Sequence, residues 1–398
     1  MTLQIAPHRR EEILVVVAAP MTARAFLLPY LAALGQKYKV TLVCAGDDGT
    51  LQACLPLGVG FVPVDIHRAI NPLADLRALL ALGGLMYSGR YAMVYSVTPK
   101  AGLLAMLAAR WCGVPIRLHM FTGQVWVTRR GLFRQLLKKL DGLIAACASY
   151  LLADSRSQME FLIREGVVDA AKIAVLGNGS ISGVDITRFR PDTEVRERVR
   201  SSLGYGSGDV LALFVGRLNR DKGVLDLAQA FASVSSRLPQ LALLLVGPDE
   251  ENIGPEIESV CGASPRLRLL GGTSSPEDYM AAADFFCLPS YREGFGSVVI
   301  EAAACGLPAI ASEIYGLTDA VEEGCSGCLH PPHDVAAIAG LLERFAINAA
   351  WRRAMGDYAR QRAIADFSTA TVVATQIQFV DQLLSGQPSQ SAGAEHSA

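Results

Sequence analysis

The sequence predicts an α/β protein made of two doubly wound domains, each built on a parallel sheet. Short apolar runs without charged residues, such as residues 13–18 and 210–215, recur in both halves of the chain, and a segment with helical periodicity follows each of them. Strands that are buried on both faces of a parallel sheet have this composition. With 398 residues, the chain is long enough to form two such domains, each with its own core.

In the first half, predicted strands and helices alternate in order. The run at 13–18 turns at residues 20–22 into an amphipathic helix at about 25–38. Because the same alternation continues to about residue 177, we expect residues 1–177 to form the first domain. Its further strands are predicted at residues 39–44, 60–64, 91–97, 115–121, 151–154 and 172–176.

A turn-rich segment, Gly177-Asn-Gly-Ser-Ile-Ser-Gly-Val-Asp185, separates the halves and predicts a linker at 178–190. The second domain is expected at 191–366, followed by a helix at 367–384. Residues 385–398 are polar and rich in Ser, Gln and Ala, which predicts a disordered tail. The strands of the second domain are predicted at residues 210–215, 242–246, 266–270, 285–288 and 308–311.

The stretch from Ser290 to Ser312 combines a strand end, a glycine loop and a helix start. An apolar strand ends at Ser290, Gly294 and Gly296 form a tight loop, and residues 297–305 have helical character. A helix N-terminus after a glycine loop attracts an anion such as a diphosphate, because its first backbone N–H groups have no intrahelical partner. The N–H groups expected at this place are those of Gly296, Ser297 and Val298.

Two carboxylates flank this predicted anion site. Glu293 lies in the loop, and Glu301 lies about one turn into the helix. Such acceptors suit a polyhydroxylated ligand, with sugar hydroxyls on one side and a ribose on the other. The alternative interpretation is a solvated loop acid followed by an ordinary helix acid.

A second loop adds positive charge at the end of another predicted strand. Arg217 and Lys222 stand at opposite ends of the loop Gly216-Arg-Leu-Asn-Arg-Asp-Lys-Gly223. They are placed to hold a diphosphate from two sides and to neutralise the charge that builds on a departing nucleotide. Taken alone, the pattern equally fits a lysine near a helix start.

Together these segments resemble the signature of the retaining GT-B glycosyltransferases of family 4. The resemblance rests on Glu293-Gly-Phe-Gly…Glu301-Ala…Gly306-Leu-Pro, on the Gly216–Gly223 loop and on the turn-rich linker. It implies a GT-B fold, in which two Rossmann-like domains face a central cleft and the helix at 367–384 crosses back to the first domain. It also implies sugar transfer from a nucleotide diphosphate sugar without a metal ion.

The resemblance also implies roles for the donor-site residues. Glu301 would bind the donor ribose, and Glu293 would contact the donor sugar or its phosphate. Arg217 and Lys222 would carry the diphosphate and, with Glu293, would act in catalysis. The other donor-binding residues are Gly294, Gly296, Ser297 and Val298.

Acceptor binding is predicted in the first half of the chain. Thr98-Pro-Lys-Ala-Gly102 resembles a stretch of family members that extend lipid-linked oligosaccharides, which implies that Lys100 holds an acceptor phosphate. A solvated lysine near a helix start is the alternative. Thr122 and Gly123 are the other predicted acceptor-binding residues.

His119 is a candidate catalytic residue, although its position departs from the family pattern. Family members commonly place a histidine just before the glycine that corresponds to Gly123, whereas this chain has Thr122 there and its histidine three residues earlier. Because His119 and Phe121 share one face of a strand, His119 either reaches the cleft or is a core histidine.

Charge is unevenly distributed along the chain. Residues 1–180 contain 19 Lys and Arg against 11 Asp and Glu, although the whole chain is close to neutral. The near-neutral charge of the whole chain argues against a nucleic-acid-binding protein. The excess of basic residues in the first half suggests that this half meets an anionic partner. Basic residues interleaved with leucines suit an anionic membrane surface, and an ordinary surface helix is the alternative. The basic residues of this segment are Arg129, Arg130, Arg134, Lys138 and Lys139.

Other features exclude several classes of protein. The first strand is not followed by the G-x-G-x-x-G of dinucleotide-binding domains, so no nicotinamide or flavin cofactor is expected. The lone Cys325-x-x-Cys328 has no second pair, so no metal site is predicted, and the nine scattered cysteines fit a reducing cytoplasm. No signal peptide is visible and no apolar run is long enough to span a bilayer.

The sequence therefore predicts a metal-independent, retaining hexosyltransferase without a cofactor. Its expected donor is a UDP-sugar and its expected acceptor an undecaprenyl-diphosphate-linked saccharide, in bacterial surface polysaccharide synthesis. We expect a cytoplasmic protein bound peripherally to the inner face of the cytoplasmic membrane. The two alternatives are a non-hydrolysing sugar-nucleotide 2-epimerase, which shares the architecture, and a non-catalytic nucleotide-sugar-binding protein.

Overall fold

The computed structural model consists of two α/β domains, each built on a parallel sheet, as the sequence predicts. It describes residues 10–46, 49–67, 70–262 and 264–386. The first nine residues and most of the predicted disordered tail, residues 387–398, lie outside these ranges.

The first sheet has seven parallel strands in the order β3-β2-β1-β4-β5-β6-β7. The strand order reverses between β1 and β4, and in open α/β sheets the carboxyl ends of the strands at such a point border the ligand crevice. β1 is buried at four of its five residues, because helices cover both faces of the sheet. The strands are β1 (Glu12–Val16), β2 (Lys39–Cys44), β3 (Val59–Pro63), β4 (Tyr91–Val97), β5 (Ile116–Phe121), β6 (Tyr150–Ala153) and β7 (Ile173–Ala174).

Helices connect these strands. The helix predicted at 25–38 begins earlier, at Pro20, whose fixed φ suits a first helical position, and it passes through a π-helical segment at Ala23–Leu27. The helices are α1 (Pro20–Thr22), α2 (Leu28–Lys37), α3 (Thr50–Cys54), α4 (Pro72–Ser88), α5 (Pro99–Trp111), α6 (Gly131–Cys147) and α7 (Arg156–Arg164). Of these, α4, α5 and α6 pack side by side.

The second sheet has six parallel strands in the order β10-β9-β8-β11-β12-β13. All six residues of β9 are buried, as expected for a strand covered on both faces. The strands are β8 (Val210–Val215), β9 (Leu241–Val246), β10 (Leu267–Leu270), β11 (Phe285–Leu288), β12 (Ala309–Ser312) and β13 (Gly327–His330). The sequence did not predict β13, because its four residues follow an acidic, turn-rich segment and include only one large aliphatic side chain.

The helices of the second domain begin with α8 and end with α15, and α16 follows them. The helices are α8 (Thr193–Leu203), α9 (Val224–Ser235), α10 (Gly254–Val260), α11 (Pro276–Ala282), α12 (Ser297–Ala304), α13 (Leu317–Ala320), α14 (Val335–Ile347), α15 (Ala349–Phe367) and α16 (Thr369–Leu384). No helix in the described ranges combines the length and the apolar character that crossing a membrane requires.

Helix α16 packs on the first domain. It contacts α2 and buries Val373, Ile377 and Val380 in the same core cluster as residues of β1. Asp381 accepts hydrogen bonds from the Lys37 ammonium at 2.6 Å and from the Tyr38 hydroxyl at 2.5 Å. The chain therefore passes between the domains twice.

The two crossings are hydrogen-bonded to each other. The N–H of Val184 donates to the carbonyl oxygen of Phe367 at 2.7 Å, and the N–H of Thr369 donates to that of Val184 at 2.9 Å. Gly183 has a φ of 64°, and a Cβ there would lie 2.6 Å from the carbonyl oxygen of Phe367. Only glycine fits this place without strain or displacement of the second crossing.

We predict that Gly183→Ala destabilises the protein. A side chain in the left-handed region costs about 1–2 kcal/mol, and the backbone contact adds to that cost. The matched control is Gly142→Ala in α6, where a Cβ meets nothing within 4 Å. That change should stabilise the helix by roughly 0.5–1 kcal/mol. Thermal unfolding followed by circular dichroism measures both, and an unchanged midpoint for Gly183→Ala would contradict the argument.

Candidate functional site

A cavity of about 290 Å³ lies between the domains, where the loops after the strands meet. The first domain contributes an aromatic ring and one loop, and the second domain contributes the loops after β8 and β11. The lining residues are Phe26, Thr122, Gly123, Arg217, Asn219, Asp221, Lys222, Arg292, Glu293 and Gly294. Four predicted donor residues and two predicted acceptor residues therefore share one cavity.

An ion pair between Lys222 and Glu293 lies in this cavity. The Lys222 ammonium is 2.5 Å from the Glu293 carboxylate, and both side chains are largely buried, with 18% and 13% of their surface exposed. Asn219 fixes the lysine loop, because its side-chain oxygen accepts from the Lys222 N–H at 3.2 Å. In a partly desolvated place the two charges hold each other in position, and an anionic ligand can take the place of Glu293 as the partner of Lys222.

Two arginines bring further positive charge to the cavity. Arg217 donates to Glu250 at 2.8 Å, and both side chains are about two-fifths exposed. Arg292 is 3.5 Å from Asp221, and its Nε is buried without a hydrogen-bond partner. An exposed ion pair is weak, so Arg217 can exchange Glu250 for a phosphate at little cost.

The N-terminus of α12 has the geometry that the glycine loop predicts. Gly296 has a φ of 85°, and the first hydrogen bond of the helix runs from the N–H of Val299 to the carbonyl of Gly296. In the described chain, the N–H groups of Ser297 and Val298 have no backbone acceptor. They form the anion-attracting end of the helix, directly after the cavity-lining residues Glu293 and Gly294.

Glu301 does not line the cavity but lies beside the linker. Its charge interacts with those of Arg188 and Glu277, and Arg188 itself donates to Glu277 at 2.8 Å. Desolvation raises the pKa of Glu301 from its usual value to about 7, although Arg188 opposes the shift. A carboxyl that titrates near neutral pH therefore stands one helix turn from the free N–H groups of α12.

On the first-domain side of the cavity, the loop that contains Gly123 lies very close to the loop that contains Gly294. A Cβ at Gly123 would lie 3.0 Å from the amide nitrogen of Gly294, and a Cβ at Gly294 would lie 2.7 Å from that of Gly123. The two loops therefore touch through bare backbone, which requires glycine on both sides. Thr122 lies beside this contact and lines the cavity.

Lys100 is not brought to the cavity. Its ammonium lies 2.7 Å from the carboxylate of Asp75 on α4, and both side chains are mostly buried. The residue before its proline, Thr98, has a φ of 75°, which is unusual for a β-branched residue. Lys100 would meet an acceptor phosphate only by exchanging Asp75 for it.

His119 lies in the core of the first domain, the second of the two positions predicted for it, and does not line the cavity. Only 1% of it is exposed, its ring packs edge-on against Phe121, and its Nδ1 is 2.9 Å from the Ser96 hydroxyl. Gly102 leaves the space for the ring, because a Cβ there would lie 2.3 Å from it. Burial lowers the pKa of His119 to about 3, so the ring is neutral at pH 7.

Four lining residues were not predicted from the sequence. Arg292 and Asp221 are adjacent to predicted site residues or lie within the same loop, so a search of both loops for charged side chains would have found them. Asn219 precedes a short helical turn, which indicates a capping role. Phe26 carried no signal, because an apolar residue in an amphipathic helix is ordinarily a core residue.

Among the residues that the structure describes, no three His, Cys, Asp or Glu side chains are grouped to hold a metal ion. Cys325 is exposed and Cys328 is buried, and neither forms a disulfide.

Two family models match the chain, one in each half. A glycosyl transferase 4-like domain matches residues 24–179, and the glycosyl transferases group 1 family matches residues 195–362. Together the two matches span most of the chain and contain the residues that line the cavity.

Curated relatives are similar over most of their length. A capsular polysaccharide biosynthesis glycosyltransferase, CapM of Staphylococcus aureus, is 29% identical over 312 residues, which are 78% of this chain and 81% of the relative. An Escherichia coli UDP-Gal:α-D-GlcNAc-diphosphoundecaprenol α-1,3-galactosyltransferase is 29% identical over 316 residues, with 78% and 80% covered. These relatives support a glycosyltransferase over the epimerase and the non-catalytic protein.

Solved structures share the fold. Anabaena HepE in complex with UDP and glucose superposes with a TM-score of 0.78 at 20% identity, covering 94% of this chain and all of the other. The sucrose-phosphate synthase of Thermosynechococcus elongatus superposes with a TM-score of 0.79 at 22% identity, covering 95% of this chain and all of the other. The predicted GT-B fold is thus confirmed, and the two domain matches, together with the relatives, show that the chain is a glycosyltransferase.

Proposed function

We propose that this glycosyltransferase moves a sugar from a UDP-sugar to a lipid-linked saccharide, with retention at the anomeric carbon and without a metal ion. The observation that carries the proposal is the composition of the cavity. Lys222, Arg217 and Arg292 bring three cations to one space, and that space is closed on its other side by the glycine wall of the first domain.

The cations and the helix end suit a diphosphate. Arg217 and Lys222 lie at opposite ends of one loop, and the free N–H groups of Ser297 and Val298 follow the other loop. They can stabilise the charge that develops on a leaving nucleoside diphosphate, which is the role that a metal ion has in other transferases. We assign Glu301 to binding of the donor ribose, and Glu293 to contact with the donor sugar or its phosphate.

The first-domain wall supports retention. The cavity-lining residues that this domain contributes, Phe26, Thr122 and Gly123, include no general base. An inverting transferase needs a base on the acceptor side, opposite the leaving group. Here both acids of the cavity, Asp221 and Glu293, belong to the second domain and stand on the donor side. An acceptor hydroxyl therefore attacks on the face of the leaving phosphate, whose oxygen takes the proton.

A UDP donor is supported by two relatives. The Escherichia coli galactosyltransferase is named for a UDP-Gal donor, and Anabaena HepE has been solved with UDP. The acceptor of the same galactosyltransferase is a sugar on diphosphoundecaprenol, and we extend that acceptor class to this chain. An acceptor phosphate would meet Arg292, which lines the cavity. It would also meet Lys100, once that lysine has exchanged Asp75 for the phosphate.

The first domain exposes an apolar surface suited to a membrane. Leu132, Phe133 and Leu136 of α6 are 89%, 47% and 50% exposed, and leucines of α4, which packs on α5 as α6 does, are exposed as well. Arg134 and Lys138 point elsewhere, since both pair with Glu165 and lie over the ring of Trp126. The exposed basic residues beside the apolar surface are Arg129, Arg130 and Lys139.

This surface would hold the enzyme at the inner face of the cytoplasmic membrane, where a lipid-linked acceptor lies. Basic residues near an anionic surface contribute about 1 kcal/mol each, and inserted apolar side chains add to the binding. The membrane contact proposed here therefore depends on the α6 leucines and Phe133 and on the three exposed basic residues, and only weakly on Arg134 and Lys138.

Sugar transfer is tested by incubating the protein with a panel of UDP- and GDP-sugars and bacterial lipid-linked acceptors, with products read by mass spectrometry. We expect one UDP-sugar to be transferred and the anomeric configuration to be retained in nuclear magnetic resonance spectra. Transfer should persist in a chelator. An inverted product, a requirement for a divalent ion or a GDP-sugar preference would each contradict the corresponding part of the proposal.

We predict that Glu301 makes donor binding depend on pH. Ribose hydroxyls donate to the ionised carboxylate, so a free-protein pKa of about 7 means that binding must release a proton at lower pH. The affinity for a UDP-sugar should then be about tenfold weaker at pH 6 than at pH 8. Glu301→Gln should bind at least about tenfold more weakly at pH 8 and lose the pH dependence. Calorimetry measures both quantities.

The control for this series is Glu258→Gln, which removes an exposed carboxylate of α10 in the same domain. It should keep both the affinity and the pH dependence of the wild-type protein. If Glu301→Gln binds the donor with unchanged affinity, the ribose role of Glu301 is wrong.

We predict that replacing Leu132, Phe133 and Leu136 together by serine abolishes sedimentation with vesicles that contain phosphatidylglycerol. About half or more of each side chain is exposed, so their loss should lower the unfolding midpoint only slightly. The control is Ile347→Ser, an exposed apolar residue of the second domain, which should sediment as the wild-type protein does. Persistent vesicle binding by the triple variant would exclude this surface as the membrane contact.

A further inference from the structure

The N-terminus of helix α7 in the first domain binds a carboxylate of the second domain. Asp319 of α13 accepts from the N–H of Arg156 at 2.9 Å and from the N–H of Ser157 at 3.2 Å. It also accepts from the hydroxyl of Ser157. A carboxylate at this place is stabilised by both the free N–H groups and the positive end of the helix dipole.

Both sides of this contact are fixed within their own domains. Ser155 caps α7, because its hydroxyl oxygen accepts from the N–H of Gln158 at 3.2 Å. Arg362 of α15 donates to the backbone carbonyls of Asp319 and Ala320 at 2.7 and 2.8 Å. The carboxylate and the helix end are therefore presented by rigid elements, and their meeting requires the domains to be close together.

A second contact joins α7 to the residues just before α13. Tyr315 stacks on Phe161 of α7 with 4.6 Å between the ring centroids, and its hydroxyl oxygen accepts from the N–H of Gln124 at 3.2 Å. Gln124 directly follows Thr122 and Gly123, which line the cavity on the first-domain side and which we call the acceptor wall. The segment from Tyr315 to Asp319 therefore contacts the acceptor wall as well as α7.

The contact extends to the loop after β11 that contains Glu293 and Gly294, which we call the donor loop. The hydroxyl of Ser155 donates to the carbonyl oxygen of Gly294 at 3.2 Å, and the N–H of Gly316 donates to the Ser157 hydroxyl at 2.7 Å. A Cβ at Gly316 would lie 2.5 Å from the same carbonyl oxygen of Gly294. Gly294 is thus enclosed by α7 on one side and by the Asp319 segment on the other, and it is bonded directly to Glu293.

We propose that Asp319 is a positioning residue that fastens the two domains when the cleft closes and thereby fixes Glu293 against the acceptor wall. When the domains separate, the carboxylate returns to water and the Gly294 loop loses its contact with Ser155. The inference rests on the proposed sugar transfer, because its effect on the rate arises from alignment of donor and acceptor.

This assignment predicts a separation of binding from turnover. The proposed phosphate contacts, Arg217, Lys222 and the N-terminus of α12, belong to the second domain alone, so the donor can bind before closure. Asp319→Asn keeps the size of the side chain and removes its charge. We expect its affinity for a UDP-sugar to stay within about twofold of wild type, whereas kcat falls about tenfold or more, as for a loss of about 1.4 kcal/mol of transition-state stabilisation. Asp319→Glu should recover part of kcat.

Small-angle X-ray scattering supplies a readout that needs no transfer. With UDP bound, the wild-type protein should be compact, and Asp319→Asn should have a larger radius of gyration. Ser157→Ala, which removes a donor to Asp319 and an acceptor for Gly316, should change kcat and the radius in the same direction. The matched control is Asp278→Asn, an exposed carboxylate of the second domain that pairs with Arg198, and it should change neither.

Two outcomes would overturn the assignment. One is a wild-type kcat and radius of gyration in both Asp319→Asn and Ser157→Ala. The other is a parallel loss of donor affinity, kcat and unfolding midpoint, which a merely structural residue would give. If the wild-type protein transfers no sugar at all, the proposed function fails, while the scattering comparison still decides whether Asp319 fastens the domains.

Discussion

The contact between two backbone segments, Thr122–Gly123 and Glu293–Gly294, is the constraint on which the site depends. At this distance neither loop can carry a side chain at its glycine, so the loop after β11 and the loop after β5 meet through main-chain atoms. The contact sets the size of the cavity and brings Glu293 to the boundary between the domains. A substitution at either glycine would hold the domains apart, whatever the charges nearby.

Charge is arranged around this contact so that each cation already has a replaceable partner. Lys222 is paired with Glu293, Arg217 with Glu250, and Arg292 stands near Asp221. Burying unpaired cations would be costly, whereas a paired cation is stable and can exchange its carboxylate partner for an anion. The predicted acceptor residue Lys100 is likewise paired, with Asp75, but it does not line the cavity.

The fold was largely predictable, because buried parallel strands are apolar runs that alternate with helices. Strands such as β4, β8 and β11 were predicted with the boundaries that the structure has, whereas β13 was missed because its composition is that of a loop. That the loops after β8 and β11 line one cavity was predictable, because glycines, a helix start and charged residues follow each other locally. The position of His119 was not, because a strand residue points to one face or the other and only packing against Gly102 decides which. For the same reason, contacts between distant segments, such as Asp319 with α7 or Phe26 with the cavity, left no local signal.

The distribution of acids over the two walls decides which chemistry the cavity supports. Asp154, an acid of the first domain, lies close to the loop after β11, with a carboxylate oxygen 2.8 Å from the place of a Cβ on Gly294. Desolvation raises its pKa to about 7, but it is buried behind the glycine contact and does not line the cavity. On its first-domain side the cavity is lined by Phe26, Thr122 and Gly123, so under the proposed function the leaving phosphate would be the group that takes the proton of an acceptor hydroxyl. The proposal of retention rests on that arrangement, because the group that releases the sugar would also take the proton of the incoming hydroxyl.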